Sequence, residues 1–427
     1  MTQPFDILER KRAGQGLSTD DIRAVAAGAS DGSWSEAQLG AFLMAAAIHG
    51  LDGDETRALT VAMLESGETW DLAAQIPTLV DKHSTGGVAD TVSLILSPIL
   101  AACDVPVVML TGRALGHTGG TADKLESIPG LRLDFDRAGC CRLLDEVGMA
   151  IGIATAEIAP ADRCLYRLRD QTATIDSLPL ITASIVSKKL ATGASALVFD
   201  VKTGSGAFLP RQEDAESLAQ LLVSTVEGLG RRSSALITDM SQPLGEWIGH
   251  GAEVLATLEA LEGRGAADLM AVTYALGVEV AALAGCDRSS ADLEAAVSSG
   301  RARQRFDRWA ELQGAEAAWL ASPECELAPI EYALEGPADG YLSGVDNRRL
   351  GMLLSDACRA GGSTIDQGVA VHYRKRLGDS VESGEELARV YLRREDPALM
   401  AAFRECFEIS PEGLEPPTLL RTRITAE

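Results

Sequence analysis

Two segments of the sequence combine glycines, hydroxyl side chains and positive charge in an order that could bind an anion. The first, DKHSTGGVADTVSL (81–94), leads from a strand-like run through Lys82 and a glycine pair into a helix-type apolar repeat. The second, TGRALGHTGGTADKLE (111–126), repeats this order of strand, glycine turn and helix. Backbone N–H groups exposed at such a turn, at the positive end of a helix dipole, attract negative charge.

The two turns are predicted to form one anion site. Each follows a predicted parallel strand, and the carboxyl ends of parallel strands meet at the edge of the sheet where ligands bind. Neither turn contains the pattern GxxxxGK[ST] of a Walker loop. For either turn alone, the alternative interpretation is an ordinary strand–turn–helix connection with a surface lysine.

A third segment, 165–193, predicts a site for a flat polar ring. Ile181, Ser184 and Lys188 are separated by three and four residues, so they share one face of the helix predicted there. Such a face offers apolar contact to a heteroaromatic ring and donors to its carbonyls, and Arg169 adds a planar two-pronged donor. The alternative is that Lys188 and Lys189 only complement the negative end of the helix dipole. A fourth segment, DVKTGSGAF (200–208), predicts a strand and a tight turn near the same edge.

The elements that must position these residues fall into three regions. The first 68 residues are predicted to be helical, with cap signals at Ser18 and at Ser33 or Ser35, and with Asp54 opening a further helix. A second helical stretch covers 160–192 and ends at Gly193, a glycine typical of a helix C-terminus. Short apolar runs, typical of a sheet buried on both faces, predict strands at 77–81, 106–110, 131–135, 150–154 and 196–202.

The predicted fold class is therefore α/β: a small all-helical domain, a large mixed α/β domain and a β-rich C-terminal α+β part. The helical domain takes residues 1–68 and 160–192, and the α/β domain takes 69–159 and 193–329. Residues 330–427 form the C-terminal part, where shorter β-like runs alternate with Gly, Asp and Ser. With the anion turns and the ring-binding face on different domains, the site is expected in a cleft between two lobes.

Composition excludes several classes of function. The chain has 427 residues, 46% of them hydrophobic, with 38 basic and 62 acidic residues and a formal net charge of −24. Nucleic acid and anionic membranes need a positive footprint, so neither is expected as a partner. An anionic substrate must therefore be bound by a local cluster of basic residues.

No membrane span, secretion signal or metal site is expected. The most apolar stretch, 92–110, is interrupted by Pro98, Asp104 and Pro106, and predicts a buried helix followed by a buried strand. The N-terminus lacks a long apolar core. The eight cysteines and five histidines show no zinc-type spacing, so we expect reduced thiols and a cytoplasmic location.

Taken together, the four motifs resemble the pyrimidine nucleoside phosphorylases. The segment 111–126 follows that family's signature except for Thr111 in place of serine, and Lys82 to Asp90 follow a second motif except for Ala89. The stretches 169–181, 200–208 and 239–254 also follow the family pattern. The matches run in the same order across about 80–255, so the resemblance is highly specific for the family and less so for the substrate.

The resemblance implies reversible phosphorolysis of thymidine, and of deoxyuridine, to the free base and 2-deoxy-α-D-ribose 1-phosphate. The alternative is a broader phosphorylase that also uses uridine. The resemblance also implies a homodimer formed through the helical domain, inorganic phosphate as a substrate and no cofactor. The resemblance implies that phosphate is bound by Lys82, Ser84, Ser93, Thr111 and Thr121. It implies that the pyrimidine is bound by Arg169, Ser184 and Lys188, with apolar walls from Leu115, Ile181, Ile185 and Phe208. The implied catalytic residues are His83, Arg169 and Lys188.

This chemistry suits the residue types. Phosphate attacks C1′ while negative charge develops on the departing pyrimidine, so donors are needed at its carbonyls and a clamp is needed on the phosphate. His83 is expected to deliver a proton to the base, because a histidine pKa can lie near neutrality. Because the two halves of the site fall on different domains, closure of the cleft is expected to be required for turnover.

Two departures from the family pattern matter. If position 89 needs a positive φ, Ala89 costs about 1 kcal/mol or more. Some members bind a monovalent cation near this turn, but Ala256 stands where they have an acidic ligand, so no cation is predicted here.

Two rival functions remain open. A phosphoribosyltransferase would need Mg²⁺, for which Asp90 and Asp123 are the available carboxylates near the turns. A binding protein that has lost turnover is supported only by Ala89 and Thr111.

Overall fold

The helices of the N-terminal region begin where capping residues predict them. The computed structural model describes residues 3–113, 119–362 and 364–426. The first helices are α1 (Pro4–Arg12), α2 (Thr19–Asp31), α3 (Glu36–His49) and α4 (Gly53–Glu65). Ser18, Ser35 and Asp52 each form a capping box with the residue three positions later. The cap of α4 is therefore Asp52, two residues before the predicted start.

Strands and helices alternate next. In chain order they are β1 (Val80–Ser84), α5 (Val92–Ala102), β2 (Val107–Thr111), α6 (Thr121–Leu125), α7 (Arg137–Val147), β3 (Met149–Ile153), α8 (Pro160–Gln171), α9 (Leu178–Ala191), β4 (Ala196–Thr203), α10 (Gln212–Gly228) and β5 (Arg232–Asp239). The helix predicted over 160–192 is thus two helices, and Gly193 follows the second with a φ of +78°. The predicted buried helix and strand in 92–110 are confirmed as α5 and β2.

One strand prediction is wrong. Residues 131–135 form no strand, because their backbone makes isolated bonds rather than a ladder: Leu131 N–H donates to the Ile128 carbonyl, Arg132 N–H to the Gln313 carbonyl, and Ile153 N–H to the Leu133 carbonyl. The first strand begins at Val80 rather than at 77. The strand β5, which sequence patterns did not predict, pairs in parallel with β4 along its whole length.

The main sheet has six strands in the order β13-β5-β4-β1-β2-β3, where β13 (Leu420–Thr425) is the last strand of the chain. The five strands β1 to β5 are parallel, and β13 pairs antiparallel with β5. Alternate residues of β4 enter two different hydrophobic clusters, Val198 on one face and Phe199 on the other. The sheet is therefore buried on both faces, as its continuous apolar strands predict.

The first helices pack with two later ones. A separate hydrophobic cluster joins α1 to α4 with α8 and α9, through residues such as Ile22, Phe42, Leu165 and Leu180. These six helices form the helical lobe, and the main sheet with its helices forms the α/β lobe. Three segments connect the two lobes, around 66–70, 154–159 and 193–195.

The remaining elements complete the α/β lobe and the C-terminal part. They are β6 (Trp247–Ile248), α11 (His250–Glu259), α12 (Ala267–Leu283), α13 (Ser290–Ser298), α14 (Arg301–Leu312), α15 (Ala317–Ala321), β7 (Ile330–Glu335), β8 (Gly340–Val345), α16 (Asn347–Arg359), β9 (Ala370–Tyr373), β10 (Ser380–Val381), β11 (Glu386–Leu392), α17 (Pro397–Arg404) and β12 (Phe407–Ser410). Two small sheets, β6-β9-β11-β7 and β10-β8-β12, build the C-terminal part. The strand β6 joins the first of these sheets from residues 247–248, outside the range 330–427, while β13 of that range belongs to the main sheet.

Within the described ranges, no single helix is long and apolar enough to cross a membrane. The consecutive helical segments His250–Arg264 and Ala267–Leu283 satisfy the length and composition only as a pair, with a bend of 78° between them.

Candidate active site

A cleft of about 1700 Å³ lies between the helical lobe and the carboxyl edge of the main sheet. Every site residue predicted from the sequence and described by the structure lines it. These residues are Lys82, His83, Ser84, Ser93, Thr111, Thr121, Arg169, Ile181, Ser184, Ile185, Lys188 and Phe208. The remaining predicted residue, Leu115, lies outside the described residues. The structure therefore brings together two glycine turns and a helix face that are about 100 residues apart in sequence.

Lys82 lies on the sheet side of the cleft, at the carboxyl end of β1. Its ammonium group lies 3.3 Å from Asp200 Oδ2 and donates to Ser93 Oγ at 3.4 Å, at the start of α5. Lys202, two residues further along β4, approaches the same Asp200 oxygen at 2.8 Å. All three charged groups are fully buried. The carboxylate of Asp200 thus offsets the repulsion between the two lysine charges and keeps both side chains near the carboxyl ends of β1 and β4.

Asp90 organises the first glycine turn. Its Oδ2 accepts the Ser84 hydroxyl at 2.6 Å and lies 3.8 Å from Lys202 Nζ, while its backbone carbonyl accepts Lys124 Nζ at 2.8 Å. Burial alone would raise the pKa of Asp90, but the ammonium groups of Lys202 and Lys82 outweigh it and lower that pKa. Asp90 is therefore ionised, and it keeps the turn closed around the cleft floor.

Lys202 is charged for the reciprocal reason. Burial would lower its pKa, but the carboxylates of Asp200 and then Asp90 raise it. The two hydroxyls of the second turn, Thr111 at the end of β2 and Thr121 at the start of α6, line the same cleft. Positive charge and hydroxyl donors thus both lie on the sheet side of the cleft, which is the composition that an anion site requires.

Ala89 adopts the left-handed conformation on which its predicted cost depends. Its φ is +59°, and its side chain is buried. An L-residue in this region costs about 1–2 kcal/mol.

The neighbouring Val88 carbonyl accepts the Leu244 N–H at 3.3 Å, and Ala256 has no ligating side-chain atom. These residues do not fit a monovalent cation.

His83 is half-buried on the cleft floor between the two lobes. Burial and then the ammonium groups of Lys189, Lys82 and Lys188 lower its pKa well below the usual 6.5. The imidazole is therefore neutral near pH 7 in the unliganded protein. This differs from the expectation of a histidine pKa near neutrality, and the physical reason is burial together with the three nearby ammonium groups.

Arg169, on the last turn of α8, is committed to the backbone of the α8–α9 connection. It donates to the carbonyls of Thr174, Ile175 and Leu180, and it is only 3% exposed. Burial lowers its pKa. Guanidinium has five N–H donors, so two remain for a ligand in the cleft. Arg169 therefore holds the connection between the two helices as well as lining the site.

Lys188 and Ser184 form a pair on the face of α9 that points into the cleft. Lys188 Nζ donates to Ser184 Oγ at 2.8 Å and to Asp162 Oδ2, on α8. The ring of Tyr166 lies under both cations of this region, 5.7 Å from the Arg169 guanidinium and 5.5 Å from Lys188 Nζ. The prediction that Ile181, Ser184 and Lys188 share a face agrees with their common cleft.

Lys189 has a different position from its neighbour. Its ammonium group is buried and donates to Asp81 Oδ1 at 2.9 Å and to the carbonyls of Lys82 and Leu110 at 3.2 Å. Burial raises the pKa of Asp81 to about 6, although Lys189 opposes the rise. The interpretation that Lys189 only complements the helix dipole is therefore wrong, because this side chain joins α9 to β1 and β2.

Several residues of the site were not predicted from the sequence. They are Asp90, Lys124, Asp162, Tyr166, Asp200 and Lys202, of which Asp90, Asp162 and Tyr166 line the cleft. A signal for two of them exists: Asp200 and Lys202 are the charged residues of an otherwise apolar strand, two positions apart and thus on one face. The rest become visible only through their partners.

Comparison with known proteins agrees with this architecture. The family model described as glycosyl transferase family, a/b domain, matches residues 76–303. The model for the helical bundle domain of that family matches 5–67, and the pyrimidine nucleoside phosphorylase C-terminal domain matches 341–410.

Relatives with assigned names match almost the whole chain. A thymidine phosphorylase of Rhizobium meliloti (strain 1021) is 44% identical over 94% of this chain and 93% of its own length. A pyrimidine-nucleoside phosphorylase of Geobacillus stearothermophilus is 39% identical over 98% of this chain and 99% of its own length. Among solved structures, an anthranilate phosphoribosyltransferase of Thermus thermophilus shares the fold, with a TM-score of 0.60 and 18% identity over 72% of this chain and 99% of that chain.

Fold and site thus define the class of protein: a two-lobed glycosyltransferase with lysines and hydroxyl side chains at the sheet edge of its cleft and cationic side chains on the helical lobe. Within that class, the chain belongs to the pyrimidine nucleoside phosphorylase family, and it is a pentosyltransferase.

Proposed function

We propose that this chain catalyses the reversible phosphorolysis of thymidine and deoxyuridine, giving the free base and 2-deoxy-α-D-ribose 1-phosphate. The observation that carries the proposal is the single cleft with lysine and hydroxyl donors on the sheet side and Ser184, Lys188 and Arg169 on the helical side. An oxyanion nucleophile and a leaving base fit these two ends, and a sugar fits between them.

On the sheet side, Lys82 and the hydroxyls of Ser84, Ser93, Thr111 and Thr121 hold the phosphate in line with C1′. The lysine supplies charge, and the hydroxyls fix the oxygens of the anion. Holding the nucleophile against the sugar carbon replaces a bimolecular encounter, which is a large part of the rate gain for such reactions. The Ser84 hydroxyl leaves Asp90 and turns toward phosphate when the anion binds.

On the helical side, Ser184, Lys188 and the two free N–H groups of Arg169 face the pyrimidine. As the glycosidic bond breaks, its electron pair moves into the ring and negative charge grows on the carbonyl oxygens. Donors fixed beforehand at those oxygens stabilise the transition state more than the substrate. The apolar walls Ile181, Ile185 and Phe208 exclude water from the ring.

His83 acts first as a neutral N–H donor. Its depressed pKa leaves no imidazolium to deliver a proton in the unliganded protein. A phosphate dianion bound beside it offsets the ammonium charges of Lys82, Lys188 and Lys189, and so favours protonation of the ring. Proton delivery to the base by His83 therefore requires phosphate in the site.

The preference for thymidine over uridine rests on the relatives. Two relatives named thymidine phosphorylase are 44% identical to this chain, and several named pyrimidine-nucleoside phosphorylase are 39–40% identical. Rejection of the extra 2′-hydroxyl depends on small differences in pocket shape.

The test is the phosphate-dependent fall in ultraviolet absorbance of thymidine, deoxyuridine and uridine with purified protein. We expect turnover of both deoxynucleosides, slower turnover of uridine, and no requirement for Mg²⁺. In the Lys82→Ala variant we expect the KM for phosphate to rise at least 10-fold while the free base still binds. Absence of phosphate-dependent turnover with all three nucleosides would refute the proposal.

The structure gives no support to the phosphoribosyltransferase alternative. That reaction would use Asp90 and Asp123 to hold Mg²⁺ near the glycine turns. Asp90 Oδ2 is already paired with the Lys202 ammonium group and accepts the Ser84 hydroxyl, and Asp123 Oδ1 accepts Arg113 at 3.1 Å. Both carboxylates are thus paired with cationic side chains of the protein.

A further inference from the structure

Asp162 is a buried carboxylate of the cleft to which neither sequence motif nor chemistry had assigned a role. It lies in the first turn of α8, where the helix dipole favours negative charge, and it is 3% exposed. Its Oδ2 accepts Lys188 Nζ from the neighbouring helix. Since Lys188 has a flexible four-carbon stem and its side chain is 35% exposed, this contact across the helices decides where the ammonium group lies.

The position of Lys188 in turn fixes the hydroxyl of Ser184. An ammonium group has only donors, so in the 2.8 Å contact between Lys188 and Ser184 the serine oxygen must accept. The hydroxyl hydrogen of Ser184 is then free for another acceptor, and it reaches none among the described residues.

The usual acceptor for a serine within a helix is the carbonyl four residues earlier. Here that carbonyl belongs to Leu180, and it accepts Arg169 Nη1 at 3.1 Å instead. Ser184 is nine-tenths buried and lines the cleft, so the free hydroxyl hydrogen is available to a ligand in the cleft.

We propose that Asp162 is a positioning residue for the leaving base: it holds Lys188 so that Lys188 donates to Ser184, and Ser184 donates its hydroxyl hydrogen to a pyrimidine carbonyl. The proposal rests on the proposed function. No atom is transferred along this chain of hydrogen bonds. Each group is held in the orientation that the developing negative charge requires, so the effect belongs to the base side alone.

The test compares Asp162→Asn with wild type and with Glu36→Gln. Asp162→Asn keeps the shape of the side chain and removes its charge. Glu36→Gln is a matched control, since it removes a carboxylate that also pairs with α8, through the exposed Arg167. We expect kcat with thymidine to fall at least 10-fold in Asp162→Asn with the KM for phosphate unchanged within twofold. Glu36→Gln should stay within twofold of wild type in both.

A double-mutant cycle distinguishes positioning from a general structural effect. If Asp162 acts through Ser184, the double variant Asp162→Asn/Ser184→Ala is no more than about threefold slower than the slower single variant. Effects that multiply would overturn the proposal, and so would a phosphate KM that rises in step with the loss of kcat. If Asp162→Asn does not fold, Asp162→Glu, which keeps the charge and displaces the oxygens, must show the same selective loss of kcat.

The outcomes separate the two proposals. Absence of phosphate-dependent turnover in wild type contradicts the proposed function. Full wild-type turnover together with an Asp162→Asn variant equal to Glu36→Gln contradicts only the role of Asp162.

Discussion

At the scale of single residues, paired charges in and around the cleft, most of them buried, hold one another in place. Lys82 and Lys202 share Asp200, Lys124 lies 2.6 Å from Glu253, and Lys188 pairs with Asp162. Removing one member of such a pair leaves an uncompensated buried charge, which is far more costly than losing an exposed ion pair. Variants at these positions therefore affect folding as well as activity, and need a stability measurement beside the kinetic one.

The lowered pKa of His83 predicts a pH dependence of stability. Below about pH 6.5 the unfolded chain binds a proton at this position that the folded chain excludes, so the contribution is present above pH 6.5 and lost as pH falls. We expect the difference in free energy of unfolding between wild type and His83→Asn to shrink by about 1 kcal/mol from pH 7.5 to 5.5. Denaturant unfolding at several pH values measures it.

The other two histidines with lowered pKa, His250 and His372, are present in both proteins, so their contributions cancel in this difference. A difference that stays constant over the range, or grows toward acid, would show that the His83 pKa is not depressed.

Arg169 predicts a combined effect on stability and activity. Its three bonds to the carbonyls of the α8–α9 connection are lost in Arg169→Ala, so we expect the free energy of unfolding to fall by about 2–4 kcal/mol and most of the activity to be lost. Denaturant unfolding and steady-state assays on the same preparation measure both effects.

The control is Arg167→Ala on the same helix, where the exposed ion pair with Glu36 is worth at most about 1 kcal/mol. Equal stability losses in the two variants would contradict the role given to Arg169.

At the scale of elements, the C-terminal part is attached to the turn that leads to Phe208. Ser205 Oγ donates to the Val345 carbonyl at 2.8 Å, and Asn347 Nδ2 donates to the Met240 carbonyl at 3.1 Å. The helix α16, which begins at Asn347, lines the cleft with four residues: Arg348, Met352, Ser355 and Asp356. The C-terminal part therefore contributes a wall to the cleft and supports the turn that leads to Phe208.

Asn347→Ala tests this attachment. The side chain is fully buried at the start of α16, and loss of its hydrogen bond is expected to cost about 1–2 kcal/mol. We also expect the KM for nucleoside to rise more than the KM for phosphate, because the supported turn precedes Phe208. Arg349→Ala, which breaks an exposed ion pair with Glu405, is the control. A nucleoside KM that is equal in the two variants would contradict this prediction.

At the scale of the whole molecule, the net negative charge opposes the approach of phosphate, so binding must come from the local cluster of lysines. The chain carries a net charge of −24, which repels phosphate at long range. The buried lysines at the sheet edge act at short range and in a less polar surrounding, where a charge interaction is stronger than at the surface. Binding of phosphate thus depends on a few positions rather than on the surface as a whole.

One exposed apolar surface predicts self-association. Phe5 of α1 and Met44 and Ile48 of α3 are 71%, 40% and 69% exposed, and the two helices pack side by side in the helical lobe. Apolar groups clustered on a surface mark interaction sites. We expect the protein to be a homodimer, and the double variant Phe5→Glu/Ile48→Glu to be monomeric in sedimentation analysis at micromolar concentration.

Leu414→Glu, at an exposed leucine of the C-terminal part, should leave the dimer intact. A dimer that survives the double variant, or a monomeric wild type, would exclude this surface as the interface.

The sequence by itself determined the elements and the family. Capping residues located the helices at Ser18 and Ser35, apolar runs located most strands of the main sheet, and the glycine turns after β1 and β2 located one side of the cleft. These features are local, since caps, apolar periods and turns depend on residues a few positions apart. The failure at 131–135 fits the same rule, because a strand exists only where a neighbouring strand pairs with it.

Only the tertiary structure decided the charge state and the partners of the site. The pairings of Asp162 with Lys188, Lys202 with Asp90 and Lys189 with Asp81 join residues that are 26 to 112 positions apart in sequence. The lowered pKa of His83 comes first from burial and then from the ammonium groups of Lys189, Lys82 and Lys188. Burial and distance set these properties, and no local pattern encodes either one.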